Sequence, residues 1–181
     1  MRADARRNYE RLLAEARKAF EQHGINASLD DIAKQAGLGN ATLYRHFPTR
    51  ESLLEAILRD SLAELGDTGQ TLLTTESPGT ALTTWVRAAV AHTTIYRGLV
   101  TALMDSLRDE TSELNSVCTA MQSTGRRLLE RAQQAGEVRT DTTSAGLYAL
   151  IAAAAWTREH APTEADQVLT VLLSGLTTRH P

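Results

Sequence analysis

The residues best able to do chemistry in this chain are its five histidines and its single cysteine. The histidines stand at positions 23, 46, 92, 160 and 180, with no His-x-x-x-His pair, and Cys118 has no second cysteine for a disulfide. The chain also lacks a glycine-rich phosphate loop and a Gly-x-Ser-x-Gly nucleophile elbow. We therefore expect no catalytic residues, no metal site, no cofactor and no enzyme activity.

Residues 28–47, SLDDIAKQAGLGNATLYRHF, indicate a recognition function instead. Apolar residues spaced i, i+3, i+4 and i+7 from Leu29 to Ala36 predict one buried helix face. Gly37 suits the left-handed backbone of a sharp turn, and a second short helix is predicted from Asn40 to His46. Two short helices joined by a glycine-containing turn form a helix-turn-helix pattern.

The ends of these helices carry their own signals. Ser28 and Asp31 have the spacing of a capping box at the start of the first helix. Ala33 is small enough for the two helices to cross closely, and Leu43 is predicted to be buried in the second. Thr49 is predicted to cap a further helix.

From Phe20 to Leu58 the chain resembles the DNA-binding domain of the TetR/AcrR family of bacterial transcriptional regulators. The family signature is a Gly-x-x-x-x-Thr-Leu-Tyr-x-His-Phe run, which is matched here by Gly37, Thr42, Leu43, Tyr44, His46 and Phe47. Gly39 departs from the pattern, because the family often has Ser or another capping side chain there. Glycine is a weaker N-cap, so the resemblance holds but the helix start is less firmly fixed.

The resemblance implies that the second helix of the motif enters the DNA major groove. The base-proximal residues that it implies are Asn40, Ala41, Thr42, Tyr44 and Arg45, and the phosphate contacts are Ser28, His46 and Arg50. These residue types suit the task, since Asn pairs with adenine, Arg with guanine, and Ala or Thr methyls with the thymine methyl. Core packing is the alternative for part of the Tyr44 ring and the expected role of Leu43 and Phe47.

The charge of the chain is a weak signal for a nucleic-acid binder. The net charge is -3, although residues 1–60 hold ten Lys or Arg and nine Asp or Glu, a balance of +1. Arg2, Arg6 and Arg7 are either an arm along the DNA backbone or a solvated basic helix end, and both interpretations stay open. A nonspecific architectural DNA binder should be markedly basic, which disfavours that alternative.

Composition and periodicity predict an all-α protein. Only 4 prolines and 11 glycines occur among 181 residues, and most fall between helical patterns. The predicted organisation is a helix-turn-helix head over 1–48, a connecting helix over 49–65 and a helical body over 66–181. Helices are predicted over 4–23, 29–36, 40–46, 80–97, 98–107, 111–135, 143–160 and 163–178. The segment 66–79 is predicted to be a loop, with room for one helical turn around 70–73. The absence of a signal-type start and of an apolar run long enough to span a membrane leads us to expect a cytoplasmic protein.

In the family that the chain resembles, the body encloses a ligand cavity. The resemblance assigns to such a cavity Trp85, His92, Tyr96, Leu103, Met104, Cys118 and Met121. These residues recur at helical spacing and combine apolar side chains with a few polar atoms, as a ligand cavity requires. Simple core filling is the alternative for each of them. It is weakest for Trp85, His92 and Tyr96, because each presents a polar atom on an otherwise apolar face.

The last two predicted helices carry more apolar surface than one packing partner can cover. The residues expected at a subunit interface are Tyr148, Ala152, Ala155, Trp156, Leu169, Leu172 and Leu176, and the family dimerises through a four-helix bundle of this kind. Burial inside a monomer is the alternative. The resemblance thus implies a homodimeric repressor that a small-molecule ligand releases from a palindromic operator.

Overall fold

A computed structural model of the chain describes residues 2–177, except for the side chains of residues 2, 97–102 and 104. The prediction for Met104 therefore lies outside the described side chains. Within the described residues the chain forms nine helices, and one isolated β-bridge joins Val138 to Thr177. The helices are α1 Arg2–His23, α2 Leu29–Gln35, α3 Asn40–His46, α4 Arg50–Thr75, α5 Pro78–Ala102, α6 Met104–Arg108, α7 Glu113–Gln134, α8 Ser144–His160 and α9 Ala165–Leu176. The all-α prediction is confirmed.

The described chain divides into two compact units. The first, the head unit, comprises Met1–Asp60 and Tyr96–Asn115, and the second, the body unit, comprises Ser61–Ile95 and Ser116–Pro181. In the head unit, α1 packs on α2 and α2 packs on α3 around Leu12, Ile32 and Leu43, each 1% exposed or less. Burial of such aliphatic side chains is the main force that holds these short helices together, since seven residues are too few for an isolated helix in water.

The prediction of a loop over 66–79 is wrong, because α4 continues to Thr75. Threonines in this part of the helix satisfy their hydroxyls on carbonyls one turn earlier: Thr68 donates to Glu64 at 2.8 Å and Thr71 to Asp67 at 3.0 Å. Glycine inside a helix costs about 1 kcal/mol relative to alanine. Gly69 leaves space that a side chain would fill, because its Cβ would lie 2.9 Å from Trp85 Cδ1, whereas a Cβ on Gly66 would make only an ordinary contact of 3.7 Å with the Met121 Cα.

The predicted helix break between residues 97 and 98 is also wrong. The helix α5 runs through Gly98 to Ala102, and the short helix α6 follows it. A single glycine is a modest cost beside the backbone hydrogen bonds of a 25-residue helix. The later helices begin and end close to their predicted bounds, and Gly136, with φ 73°, terminates the segment after α7 as expected.

Trp85 lies at the centre of the body unit and is 0% exposed. Its indole Nε1 donates to the Leu65 carbonyl at 3.1 Å, so the polar atom of the ring is satisfied inside the core. Two glycines make room for the ring: a Cβ on Gly69 would lie 2.9 Å from Trp85 Cδ1, and a Cβ on Gly125 would lie 2.8 Å from Cζ3 and 2.5 Å from the Tyr148 hydroxyl. The Tyr148 hydroxyl itself donates to the Gln122 carbonyl at 3.0 Å.

Candidate nucleic-acid interface

The helix α2 is built as its sequence predicts. The Ser28 hydroxyl accepts a hydrogen bond from the Asp31 amide at 3.2 Å, which caps the helix, while Ile32 and Ala33 are fully buried. Gly37 follows with φ 66°, and the Leu38 amide donates to the Ala33 carbonyl at 2.9 Å. This backbone conformation is accessible to glycine at little cost, and it turns the chain sharply into α3.

The helix α3 begins and ends at the predicted residues and is oriented by two buried anchors. Leu43 is 1% exposed and Phe47, the C-cap, is 2% exposed. The opposite face is open to solvent. Its exposed residues are Asn40, Ala41, Tyr44 and Arg45, while Thr42 and His46 are half-buried at its edge. The structure therefore brings the five residues expected near bases onto one short helix whose outer surface is free.

Asn40 is held by a residue that the sequence did not single out. Its Nδ2 donates to Asp30 Oδ1 at 2.7 Å, a contact between the start of α3 and the first turn of α2. Asp30 is exposed. The contact orients the Asn40 amide before any ligand is present, and it occupies one of the two amide hydrogens.

Arg50 is tied to the backbone of the head unit. Its Nη1 donates to the carbonyls of Ile25 at 2.9 Å and Ala27 at 2.7 Å, in the loop between α1 and α2. A loop carbonyl of this kind has no helical partner, so the guanidinium satisfies groups that would otherwise depend on water. The structure thus gives Arg50 a role in holding the loop next to Ser28, and the phosphate contact stays a prediction.

Tyr9 packs beneath the recognition helix, and its hydrogen bond with Arg59 was not apparent in the sequence. Its ring lies 5.1 Å from the Phe47 ring and 6.0 Å from the His46 ring, and its hydroxyl accepts from Arg59 Nη2 at 3.0 Å. Burial raises the pKa of the Tyr9 phenol. The sequence signal for such a contact is a tyrosine hydroxyl on the otherwise apolar stripe of α1.

The basic end of α1 is partly neutralised within the helix. Arg6 pairs with Glu10 at 2.9 Å and Arg7 with Asp4 at 2.5 Å, and all four side chains are largely exposed. Exposed pairs of this kind contribute about 0–1 kcal/mol and are easily exchanged for other anions. The Arg2 side chain lies outside the described ones, so the choice between an arm and a solvated helix end stays open.

The predicted ligand residues divide between the two units. Tyr96 and Leu103 are buried in the head unit, at 8% and 4% exposed. In the body unit, Trp85 is fully buried, and His92, Cys118 and Met121 are half-buried. Burial lowers the pKa of His92 to about 4 and raises the pKa of the Cys118 thiol.

The predicted interface residues also fall into two groups. Ala155, Leu169 and Leu176 are 1%, 5% and 5% exposed and fill the core of the body unit itself. Ala152 and Trp156 face outward, and Tyr148 and Leu172 are half-buried. The outward apolar surface of α8 and α9, which we call the α8–α9 face, comprises Ala145, Ala149, Ala152, Ala153, Trp156, Val171 and Leu172.

Two short crossed helices, the second with a buried anchor face and an exposed polar one, define a helix-turn-helix DNA-binding protein. Residues 12–57 match the model of the bacterial regulatory proteins of the tetR family. Residues 77–178, more than half of the chain, match the C-terminal domain of SbtR-like transcriptional regulators. The chain belongs to the TetR family of transcriptional regulators, which are not enzymes.

Solved structures agree with this assignment over nearly the whole chain. A TetR transcriptional regulator from Streptomyces coelicolor is 34% identical, with a TM-score of 0.75, over 94% of this chain and 99% of its own. A TetR regulatory protein from Mycobacterium vanbaalenii is also 34% identical, with a TM-score of 0.73, over 98% and 99%. The fold is shared at 22% identity by a TetR-like regulator from Mycobacterium smegmatis in complex with proflavine, with a TM-score of 0.68 over 96% and 98%.

Curated relatives match over a shorter stretch. An HTH-type transcriptional regulator from Staphylococcus aureus is 40% identical over 63 residues, which is 34% of this chain and 34% of the relative. The match thus spans about a third of the curated relative.

Two further features of the described part of the chain concern metal binding and membrane crossing. No group of three His, Cys, Asp or Glu side chains there could hold a metal ion. No described helix is long and apolar enough to cross a membrane.

Proposed function

We propose that the protein is a cytoplasmic homodimeric repressor that reads a palindromic operator and leaves it when a small molecule binds. The observation that carries the DNA-reading part is the free outer face of α3, where Asn40, Ala41, Tyr44 and Arg45 are exposed above the buried Leu43. Thr42 completes the base-reading set, and Ser28 and His46 flank it as phosphate contacts. Short donor-bearing side chains on the leading face of a helix suit base edges in the major groove.

The homodimer is supported by the α8–α9 face. Trp156 is 54% exposed and Val171 62% exposed, and large apolar groups so open to water favour burial against a partner. Exposed alanines between them allow helices to approach closely. Two recognition helices related by a two-fold axis would lie about 34–36 Å apart, one turn of DNA, which is why the operator should be palindromic.

The ligand response is proposed for the body unit, with His92, Cys118 and Met121 on the walls and Trp85 as the buried floor. The mixture of thioether, thiol, imidazole and aromatic groups suits a planar, mainly apolar effector with one or two polar atoms. The distant fold neighbour bound to proflavine supports this choice of ligand class. Tyr96, Leu103 and Met104 belong to the head unit, so their predicted ligand contacts are not carried into this proposed site.

The DNA-reading proposal is tested by selecting bound sequences from a random pool. The expected product is a palindrome with half-sites about ten base pairs apart. Tyr44→Ala combined with Arg45→Ala should then weaken binding to that sequence by at least about tenfold while weakening binding to unrelated DNA much less. Equal losses on both DNAs, or no loss on the selected one, would remove α3 as the reading surface.

A further inference from the structure

Asp30 and Asn40 connect the two helices of the helix-turn-helix through their side chains. The Asn40 Nδ2 donates to Asp30 Oδ1 at 2.7 Å, between residues ten positions apart in the chain. Asp30 lies in the first turn of α2, and Asn40 is the first residue of α3. Both residues are exposed, so the contact lies on the surface that the proposed function sets against DNA.

The backbone of α3 does not depend on this contact. The N-cap residue Gly39 makes no side-chain cap hydrogen bond, and the first turn is closed by the Thr42 and Leu43 amides, which donate to the Gly39 carbonyl at 2.9 and 3.3 Å. Asp30 binds the side chain of Asn40 and leaves these backbone groups to one another. The group that Asp30 orients is therefore the Asn40 amide.

The hydrogen bond changes what the Asn40 amide can still offer to a ligand. A free asparagine amide has two N–H donors and one carbonyl acceptor. Because Asp30 occupies one hydrogen, one donor and one acceptor remain. A hydrogen bond to a carboxylate is roughly twice as strong as one to a neutral oxygen, which favours its persistence when another acceptor approaches.

The remaining donor and acceptor are complementary to adenine and not to guanine. In the major groove adenine presents the N7 acceptor and the N6 amino donor, whereas guanine presents two acceptors, N7 and O6. An amide with both hydrogens free can donate to both acceptors of guanine. With one hydrogen occupied, the amide can donate to guanine only once, and its carbonyl oxygen finds no donor on that base.

We propose that Asp30 determines specificity by acting through Asn40, so that the Asn40 amide selects adenine over guanine. This inference rests on the proposed function, because it requires α3 in the major groove. Asp30 is a positioning residue in this arrangement and does not contact a base itself. The recognised group is the major-groove edge of one adenine in each half-site.

The experiment first locates the base that Asn40 reads. Bound sequences are selected from a random pool with the parent and with Asn40→Ala, and the position whose preference is lost in the variant is the one that residue 40 contacts. We expect adenine at that position in the parent. Dissociation constants are then measured for the selected operator and for the same operator with guanine at that position in both half-sites. Their ratio is the adenine preference.

Asp30→Ala should lower the adenine preference by at least about fivefold, because both hydrogens of the Asn40 amide become available. Circular dichroism should show the helical content of the parent, since the replaced side chain is exposed. Asp31→Ala is the matched control, because it removes the same charge from the same turn of α2, and the capping contact with Ser28 uses the Asp31 backbone amide. That variant should change the affinity for both DNAs alike and leave their ratio unchanged.

A double variant separates positioning from a general effect of charge. In the Asn40→Ala background, Asp30→Ala should leave the ratio of the two dissociation constants unchanged. The role of Asp30 is overturned, and the DNA-reading function stands, if Asp30→Ala keeps the parent ratio, if Asp31→Ala shifts it equally, or if the shift persists without Asn40. An operator with a base other than adenine at the Asn40 position, or one whose preferences survive Asn40→Ala, has the same consequence. A parent that selects no sequence would overturn both proposals.

Discussion

The Arg59 guanidinium joins Tyr9 to Glu113 within the head unit. Its Nη2 donates to the Tyr9 hydroxyl at 3.0 Å and its Nη1 to Glu113 Oε2 at 2.8 Å. Because the Tyr9 ring lies against Phe47, the C-cap of α3, one half-buried arginine connects the start of α7 to the underside of the recognition helix. We therefore expect Arg59 to help position the recognition helix.

Arg59→Met should destabilise the head unit by about 1–3 kcal/mol, because the half-buried Tyr9 hydroxyl loses its charged donor. The measurement is urea-induced unfolding followed by circular dichroism. Glu113→Gln is the matched control. Since the Glu113 side chain is 72% exposed, its loss should cost less than about 1 kcal/mol. A larger effect of Glu113→Gln than of Arg59→Met would contradict this order.

Arg50→Ala separates a structural role from a DNA contact. The loss of both carbonyl contacts at Ile25 and Ala27 should lower the free energy of unfolding by about 1–3 kcal/mol. If Arg50 serves only this loop, the slope of log affinity against log salt should stay close to the parent value. An unchanged stability with a slope smaller by about 1 would instead assign Arg50 to a phosphate.

Gly125→Ala should destabilise the body unit by about 1–3 kcal/mol, since the new methyl group overlaps the Trp85 ring and the Tyr148 hydroxyl. The change is measured by thermal unfolding. Gly175→Ala is the matched control: its Cβ has open space, and alanine favours a helix, so stability should hold or rise. Combining Gly125→Ala with Trp85→Leu should cost less than the sum of the two single changes. Strict additivity of the two free-energy changes would show that Gly125 does not make room for the Trp85 ring.

The His92 imidazole makes stability depend on pH. Burial lowers its pKa to about 4, partly opposed by Glu64, whereas the unfolded chain has the ordinary value of 6.5. Between these values the unfolded state binds a proton that the folded state does not, so stability is full above about pH 6.5 and falls as the pH drops towards 4. The loss should reach about 3 kcal/mol at most.

His92→Gln removes this titration. Urea unfolding of the parent and the variant at pH 7, 5.5 and 4 should show the parent losing stability relative to His92→Gln on acidification. Parallel pH curves for the two proteins would place the acid sensitivity elsewhere.

The helix-turn-helix was predictable because its constraints are local. The cap at Ser28, the positive φ at Gly37 and the apolar spacing around Ile32 act within a few residues, so α3 was predicted from Asn40 to His46 without error. The contacts of Arg50 with Ile25 and Ala27 and of Arg59 with Tyr9 join residues 23 to 50 positions apart. No local pattern encodes contacts over such distances.

The prediction for the body was wrong where tertiary packing overrode a local rule. Gly66 and Gly69 indicate a loop when taken alone, yet both lie inside α4, where the Trp85 ring packs closely against Gly69. In the same way, Ala155 on α8 and Leu169 on α9 each lie on an apolar stripe that also holds exposed residues. Only the packing of α8 on α9 separates the inner positions from the outer ones.

The hydrogen bond from Asn40 to Asp30 makes the chemistry of the recognition helix depend on a residue of α2. Replacement of Asp30 would free an amide hydrogen of Asn40 without altering any residue of α3. The base preference at that position could therefore drift through substitutions at residue 30 alone. Two regulators with identical recognition helices therefore need not share an operator, because a residue of α2 also orients a side chain of α3.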